Sequence, residues 1–220
     1  MGNNKVYQIA IDGPSGVGKS SIARNISKKL GFVYINTGAM YRCYSLALIN
    51  NNINVENIDE VMKTLKSNKV ELIGDSVLLN GQDVTKQLNN PKIAALASKI
   101  GTIKEVREKC VADQQKIANG INCVMEGRDI TSVVLPNATI KVYLDADVKL
   151  RAERRWKQHN CNESYATVMK KIIDRDYQDT HRAFSPLIKV KDAFVVYDTG
   201  LSIEEVSEMI IKKFKEIINE

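Results

Sequence analysis

The chain has 220 residues, of which 44% are hydrophobic and 26% are charged, a composition that is typical of a globular protein and excludes wholesale disorder. No apolar run could span a membrane or serve as a signal peptide, and the four cysteines lack metal-site spacing, so we expect a cytoplasmic protein with reduced thiols and no membrane partner. The net charge of +6 favours anionic partners, which nucleic acids and small phosphates both provide.

The first elements predicted along the chain are a strand, a loop and a helix. Residues 6–11 form a short apolar run before a glycine-rich turn, and apolar residues then recur at helical spacing from Ile22 to Leu30. Further short apolar runs, separated by helical stretches, occur at residues 32–35, 123–125, 140–144 and 193–197. Because buried parallel strands are short apolar runs of this kind, the pattern predicts an α/β fold with a central parallel sheet.

Between the second and third of these strands the pattern changes to that of an antiparallel meander. Short apolar runs at residues 70–73, 76–79 and 82–84 are separated by the turn pairs Gly74-Asp75 and Asn80-Gly81. Pro91 then begins a long helical stretch that continues to about Ile117. We therefore predict that residues 38–105 form a small inserted subdomain.

Residues 13–20, Gly-Pro-Ser-Gly-Val-Gly-Lys-Ser, match the Walker A pattern and lie between the first strand and the first helix, as that motif requires. The glycines let backbone N–H groups surround phosphates at a helix N-terminus. Lys19 is expected to span the β and γ phosphates of ATP, and the Ser20 hydroxyl to bind Mg²⁺. The predicted ATP-binding residues are Gly13, Pro14, Ser15, Gly16, Val17, Gly18, Lys19, Ser20 and Ser21.

Three classes of P-loop protein compete for this motif. A GTPase would carry an N-K-x-D base reader, but residues 68–71 have glutamate in place of the aspartate and follow no apolar strand. No hydrophobic strand ends in the acidic pair of a motor ATPase, so a small-molecule kinase is favoured. A nucleotide-regulated nucleic-acid-binding protein stays as an alternative because the chain is basic. Its arginines, however, gather around predicted loops and not in a stripe with aromatic residues.

Two groups of charged residues have the spacing of a single helical face. The first group, which follows the strand at residues 140–144, is Arg151, Arg154 and Arg155. The second group, which lies on the next predicted helix, is Arg175, Asp179 and Arg182. Positioned cations stabilise the loose transition state of phosphoryl transfer, and a closing lid excludes water. Two such helices therefore predict a mobile lid. If the acceptor is itself a phosphate, no strong general base is required.

Two loops follow predicted strands at the edge of the sheet where α/β proteins bind ligands. Residues 126–129 follow the third strand, and there Arg128 and Asp129 could contact a phosphate and a base edge. Residues 37–42 follow the second strand, and Arg42 could hold the acceptor phosphate.

Segments 9–16, 37–42, 127–129, 135–138 and 175–183 resemble the bacterial cytidylate kinase family, and the match covers nearly the whole chain. The segment Arg-Asp-x-x-Asp-x-x-Arg-Ala at residues 175–183 is specific to that family, whereas the P-loop is not. The resemblance implies a three-layer α/β/α P-loop NTPase that phosphorylates CMP or dCMP. We expect a monomer, and the distribution of arginines predicts no nucleic-acid partner. It implies a core of residues 1–37, 106–148 and 183–220, a monophosphate-binding insert at 38–105 and a lid at 149–182. Another acceptor, such as UMP, AMP or a metabolite, stays open.

The resemblance also implies roles for individual residues. Arg42 and Arg128 would hold the CMP phosphate, beside Thr37; Ser98, Arg107, Asp129 and Arg182 would surround cytosine; Arg175 and Asp179 would meet the ribose; and Arg154 and Arg155 would serve the transferring phosphate. The residues expected to act on the reaction itself are Lys19, Arg128, Arg154, Arg155 and Arg182.

The chain departs from the family pattern at several positions near the expected site. Asn36 and Glu126 stand where aspartate is usual, Thr131-Ser132 replaces a Gly-Thr pair, and Asn89-Asn90 replaces a segment that often holds an arginine. We expect Ser20 to bind the metal, with Glu126 acting through water. The substitutions bear on metal geometry and turnover more than on the class of reaction.

Overall fold

The computed structural model describes residues 5–158, 163–198 and 200–219. These residues fall into two compact units, one made of Met1–Tyr34 and Gly120–Glu220 and the other of Ile35–Asn119. The predicted subdomain boundaries at residues 38 and 105 stay a prediction.

The first unit is built on a parallel sheet. In the described residues the strands are β1 (Gln8–Asp12), β2 (Val33–Asn36), β3 (Val70–Ile73), β4 (Ser76–Leu79), β5 (Gln82–Asp83), β6 (Cys123–Gly127), β7 (Ile140–Asp145) and β8 (Phe194–Tyr197). Five of them form a sheet in the order β2-β6-β1-β7-β8, in which β1 pairs in parallel with β6 and β7, and β7 with β8. The predicted α/β fold with a central parallel sheet is therefore confirmed.

The described residues of both units also form α-helices. The helices are α1 (Lys19–Leu30), α2 (Thr37–Asn50), α3 (Ile58–Ser67), α4 (Pro91–Ile100), α5 (Lys104–Ala118), α6 (Val148–Gln158), α7 (Tyr165–His181) and α8 (Ile203–Asn219). A short π-helical turn, Ile130–Val134, follows β6. In the first unit α1 and α8 share an apolar core with the sheet, to which α1 contributes Ile22 and Ile26 and α8 contributes Ile210 and Phe214.

The central strand of the sheet is buried because it is apolar on both faces. Ile9, Ala10 and Ile11 of β1 have no exposed surface, and β6 is buried along its whole length. Strands of this kind have no polar face to present to water, so neighbours must cover both sides. As a consequence β1 holds the start of the Walker A loop at the centre of the sheet edge.

The second unit contains the predicted meander. Strands β3, β4 and β5 form a three-stranded antiparallel sheet, and Asn80 and Gly81 adopt positive φ angles at the second turn. Residues of α2, among them Cys43 and Leu46, pack against Val77 of this sheet. The turn pairs in the sequence therefore predicted this part of the fold correctly.

The prediction of one long helix from Pro91 to about Ile117 is wrong in one respect, because two helices, α4 and α5, occupy these residues. The N–H of Gly101 closes α4 by donating to Ala97 O, and the hydroxyl of Thr102 donates to Lys99 O. Ile103 then adopts an extended conformation before α5 begins at Lys104. The apolar spacing continues through the break, so periodicity alone did not reveal it.

Helices α6 and α7 lie where the lid is predicted. They pack on each other through Ala152, Val168 and Ile172, and the Ser164 side chain accepts a hydrogen bond from Thr167 N–H at the start of α7. The two predicted helices are therefore confirmed, and motion of this pair stays a prediction. One of the four cysteines, Cys161, lies outside the described residues.

Candidate active site

The Walker A loop joins β1 to α1, and its glycines take backbone conformations that other residues rarely adopt. Gly13 has a φ of 155° and approaches β7 so closely that an added Cβ would lie 2.2 Å from the carbonyl oxygen of Leu144. Gly18, with a φ of 94°, is the residue before α1 and contributes no side chain to cap the helix. These glycine conformations suit a loop that binds an anion through backbone N–H groups.

Lys19 lies inside this loop and not in solvent. Its ammonium donates to Gly13 O at 2.8 Å and to Pro14 O at 2.7 Å, and only 5% of the residue is exposed. Burial lowers the pKa of Lys19 to about 7, and the positive charge of Arg128 acts in the same direction. The carboxylates of Glu126 and Asp179 oppose this shift. Lys19 is therefore surrounded by the other charged groups of the site.

Ser20 and Glu126 place two oxygen atoms side by side at the start of α1. The Ser20 hydroxyl donates to Glu126 Oε1 at 2.7 Å, and the Tyr34 hydroxyl donates to the same oxygen at 3.3 Å. Hydroxyl and carboxylate oxygens are the ligands that Mg²⁺ prefers, and this ion usually completes its shell with water and substrate phosphates. The pair of side chains therefore fits Mg²⁺ together with a bound triphosphate. Ser21, which was also predicted to bind ATP, is exposed on the first turn of α1.

Three arginines converge on the carboxylate of Asp179 in α7. Arg128 Nε donates to Asp179 Oδ2 at 2.8 Å, and Arg175 Nε donates to the same oxygen at 3.2 Å. Arg182 Nη1 lies 3.6 Å from Asp179 Oδ1, and its Nη2 lies 3.7 Å from Asp129 Oδ1. We call these five residues the arginine cluster. It brings together five of the residues predicted to bind the acceptor.

Within the arginine cluster, the buried Asp179 and the half-buried Arg128 stabilise each other's charge. Burial alone would raise the pKa of Asp179, but Arg128, Arg175 and Arg182 outweigh burial and hold this pKa below its usual range. Burial also works against the charge of Arg128, and Asp179 nevertheless keeps the Arg128 pKa above its ordinary value. Three arginines face two aspartates, so the cluster has an excess of positive charge that suits a phosphate.

The predicted lid arginines have different surroundings. Arg154 makes a two-point contact with Asp198, with Nη1 donating to Oδ2 at 2.5 Å and Nη2 to Oδ1 at 3.0 Å. This hydrogen bonding raises the pKa of Arg154 above its ordinary value. Asp198 directly follows β8, so the sheet edge holds Arg154. Arg155 is exposed on α6.

Arg151, the third arginine of that helical face, is instead part of a buried contact with the Walker A loop. Its Nη1 donates to Ser15 O at 2.8 Å and to Asp176 Oδ2 at 2.5 Å, and its Nε donates to Ala146 O at 2.9 Å. Asp176 Oδ1 accepts from Ser15 N–H at 2.7 Å. Both backbone groups of Ser15 are therefore bound by side chains of α6 and α7.

Four predicted acceptor residues belong to the second unit. Thr37 is the buried first residue of α2, Arg42 lies on the same helix, and Ser98 is half-buried on α4. Arg107 of α5 is buried, donates to Gly101 O at 2.9 Å, and lies 5.7 Å from the centre of the Tyr41 ring. Their roles in binding stay predictions.

The prediction missed several carboxylates that hold these groups in place. Asp12 and Asp176 both lie in segments quoted for the family resemblance, and Asp198 follows a predicted strand at the ligand-binding edge of the sheet. These positions indicated a functional role, but no spacing rule connects Asp198 to Arg154 or Asp176 to Ser15.

Asn36, where aspartate was expected, caps α2 by accepting from Ala39 N–H at 2.9 Å.

Comparison with known proteins identifies the family to which the chain belongs. The family model described as cytidylate kinase matches residues 9–216. A cytidylate kinase from Fusobacterium nucleatum subsp. nucleatum is 42% identical over 212 residues, which cover 95% of this chain and 97% of the relative. One from Alkaliphilus oremlandii is 41% identical over 211 residues, which cover 94% and 97%.

Solved structures support the fold assignment alone, because their identities are low. A gluconokinase from Sinorhizobium meliloti superposes with a TM-score of 0.53 at 12% identity and covers 96% of this chain and 93% of its own. A shikimate kinase from Bacteroides thetaiotaomicron superposes with a TM-score of 0.51 at 11% identity, covering 95% and 98%. Both are kinases with the same α/β architecture.

The contact between Arg151 and Asp176 predicts a stability effect. Asp176→Ala leaves a buried guanidinium without its carboxylate, so we expect the free energy of unfolding to fall by about 3 kcal/mol in denaturant titrations. Asp174→Ala removes the same charge from an exposed position on α7 and should change it by less than about 0.5 kcal/mol. Equal losses in the two variants would contradict the importance of this contact.

Proposed function

The chain belongs to the cytidylate kinase family, and on that premise we propose that it transfers the γ-phosphoryl group of ATP to CMP, and to dCMP, with Mg²⁺. The observation that carries this proposal is the neighbourhood of Lys19. The charges of Arg128 and Asp179 act on its ammonium, and α7 binds both the Walker A loop, through Asp176, and Arg128, through Asp179. A loop for triphosphate beside a cluster with excess positive charge suits a reaction between two phosphates.

The Walker A loop would bind the triphosphate through its backbone N–H groups and Lys19. The ammonium of Lys19 now donates to two neutral carbonyl oxygens, Gly13 O and Pro14 O. A phosphate oxygen is a charged acceptor and binds an ammonium more strongly than a carbonyl does. Ser20 would ligate Mg²⁺, with Glu126 acting through water, and the bound ion would neutralise charge on the phosphates.

The arginine cluster would bind the acceptor. We propose that Arg128 holds its phosphate, that Asp129 and Arg182 contact the cytosine, and that Arg175 and Asp179 meet the ribose. The family resemblance adds Arg42 and Thr37 at the phosphate, and Ser98 and Arg107 at the base. Because an acceptor phosphate is already anionic, none of these residues has to act as a general base.

We propose that Arg154 and Arg155 of α6 serve the transferring phosphoryl group. Arg155 is exposed, whereas Arg154 is bound by Asp198, so Arg154 would have to exchange one anionic partner for another. Such an exchange would keep the guanidinium paired with an anion, which costs less free energy than leaving a buried guanidinium unpaired.

We also propose that the protein works as a monomer in the cytoplasm and does not bind nucleic acid. The three described cysteines, Cys43, Cys110 and Cys123, are free and buried, which suits a reducing compartment. None of the helices in the described part of the chain combines the length and the apolar character needed to cross a bilayer.

A parallel acceptor assay tests the proposed reaction. We expect ADP formation from ATP and Mg²⁺ to be fastest with CMP or dCMP, and slower with UMP and AMP. A preference for AMP or UMP would contradict the cytidine assignment while keeping the kinase. No phosphorylation of any acceptor, together with steeply salt-dependent binding of DNA or RNA, would favour the nucleic-acid-binding alternative.

The role of Arg182 predicts a selective change in acceptor binding. Arg182→Ala should raise the KM for CMP by about tenfold or more, because a buried hydrogen bond to a charged group contributes about 1.5 kcal/mol or more. The KM for ATP should change little. Lys170→Ala removes one positive charge from an exposed position on α7 and serves as the control. An equal rise in both variants would point to a general charge effect.

The lowered pKa of Lys19, about 7, predicts that nucleotide binding takes up a proton. At pH 8 the side chain is mostly neutral, whereas bound phosphates favour its charged form and raise its pKa. Titration calorimetry in buffers of different ionisation enthalpy should therefore show uptake at pH 8 and much less at pH 6, where Lys19 is already charged. Lys19→Arg carries a permanent charge, so its uptake should be lost. Equal uptake in this variant would refute the assignment.

A further inference from the structure

The buried carboxylate of Asp12 connects the end of β1 to the turn that carries part of the acceptor site. Asp12 immediately precedes Gly13 and has no exposed surface. Its Oδ1 accepts from Ile130 N–H at 3.0 Å, and its Oδ2 accepts from both the N–H and the hydroxyl of Thr131, each at 2.7 Å. Three hydrogen bonds thus join the Walker A segment to the π-helical turn after β6.

The chemistry of these contacts shows what the carboxylate contributes. All three partners are donors, and a carboxylate that accepts at both oxygens is suited to receive them in its ionised form. The N-terminal N–H groups of a helical turn also carry partial positive charge. Burial works in the other direction and raises the pKa of Asp12. The Thr131 hydroxyl, itself buried, therefore supplies a donor that helps keep the charge of Asp12 satisfied.

The segment held by Asp12 is the one that presents Arg128 and Asp129. In the parallel pairing of β1 with β6, Asp12 lies opposite Gly127, the residue before Arg128. On its other side Arg128 is held by Asp179. Arg128 and Asp129 thus lie between Gly127, which is opposite Asp12 in the sheet, and the two N–H groups that donate to the Asp12 carboxylate.

We propose that Asp12 and Thr131 are positioning residues that set Arg128 and Asp129 relative to the Walker A loop. Neither residue acts on the substrates directly, and the inference rests on the proposed function, in which Arg128 and Asp129 bind the acceptor. The hydroxyl at position 131 lies where the chain departs from the family pattern. The threonine found there adds a hydroxyl donor to the Asp12 carboxylate.

Phosphoryl transfer is sensitive to the placement of its two substrates, so loss of this hydroxyl should be visible in acceptor kinetics. Thr131→Val replaces the hydroxyl by a methyl group of similar size, and Thr131→Ser keeps the hydroxyl. We expect the valine variant to lower kcat/KM for CMP by about tenfold while the KM for ATP changes by less than about twofold. Thr131→Ser should stay close to wild type. Ser132→Ala removes the neighbouring hydroxyl and is the matched control.

Two outcomes of these kinetics would overturn the inference. One is a valine variant that is less stable but keeps wild-type kcat/KM below its melting temperature, which would indicate a structural role alone. The other is a KM for ATP that rises as much as the KM for CMP, which would mean that the pair supports the Walker A loop and not Arg128 and Asp129.

Asp12→Asn provides a second variant, since its amide would place N–H groups against the donors. If the pair acts as a unit, the double variant should lose less than the product of the two single losses.

Hydrogen exchange separates this inference from the proposed function. The amides of Ile130 and residue 131 should exchange faster in Thr131→Val than in wild type, and this comparison requires no substrate. Unchanged exchange in the valine variant would refute the inference even if the wild type phosphorylates CMP. If the wild type phosphorylates no cytidine nucleotide but exchange increases as expected, the proposed function is wrong and the contact is real.

Discussion

Buried positive charge is the constraint on which this site depends. A site that handles several phosphates needs cations close together, and cations so placed repel one another and lose their hydration. The chain meets this cost with carboxylates that lie beside the cations. Asp179 contacts the three arginines of the arginine cluster, Asp176 contacts Arg151, and Asp198 contacts Arg154. Nucleotide phosphates would therefore compete with carboxylates already in place, and their binding strength would be a difference between two sets of ion pairs.

The same carboxylates connect the parts of the first unit. Asp176 lies one turn from Asp179 on α7, so one helix binds both the Walker A loop at Ser15 and the segment after β6 at Arg128. A displacement of α7 would change both contacts at once. If the lid moves as predicted, the geometry of the Walker A loop and that of the arginine cluster would change together and not independently.

The sequence predicted those features that depend on local patterns. The Walker A loop, the parallel strands and the meander each have a signal within about ten residues, and all three were correctly located. The break between α4 and α5 was missed because the apolar spacing continues across Gly101. Helical spacing placed Arg151, Arg154 and Arg155 on one face, but it could not tell which partners that face meets. The partners are distant in sequence: Asp198 lies 44 residues from Arg154, and Ser15 lies 136 from Arg151.

The departures from the family pattern show why a substitution near a site need not change its chemistry. Asn36 uses its side-chain oxygen to cap α2, a role that asparagine and aspartate fill equally well. Glu126 is one methylene longer than aspartate and accepts from both Ser20 and Tyr34. Thr131 adds a donor to a buried carboxylate. Each of these three side chains thus forms a hydrogen bond within the framework of its own unit.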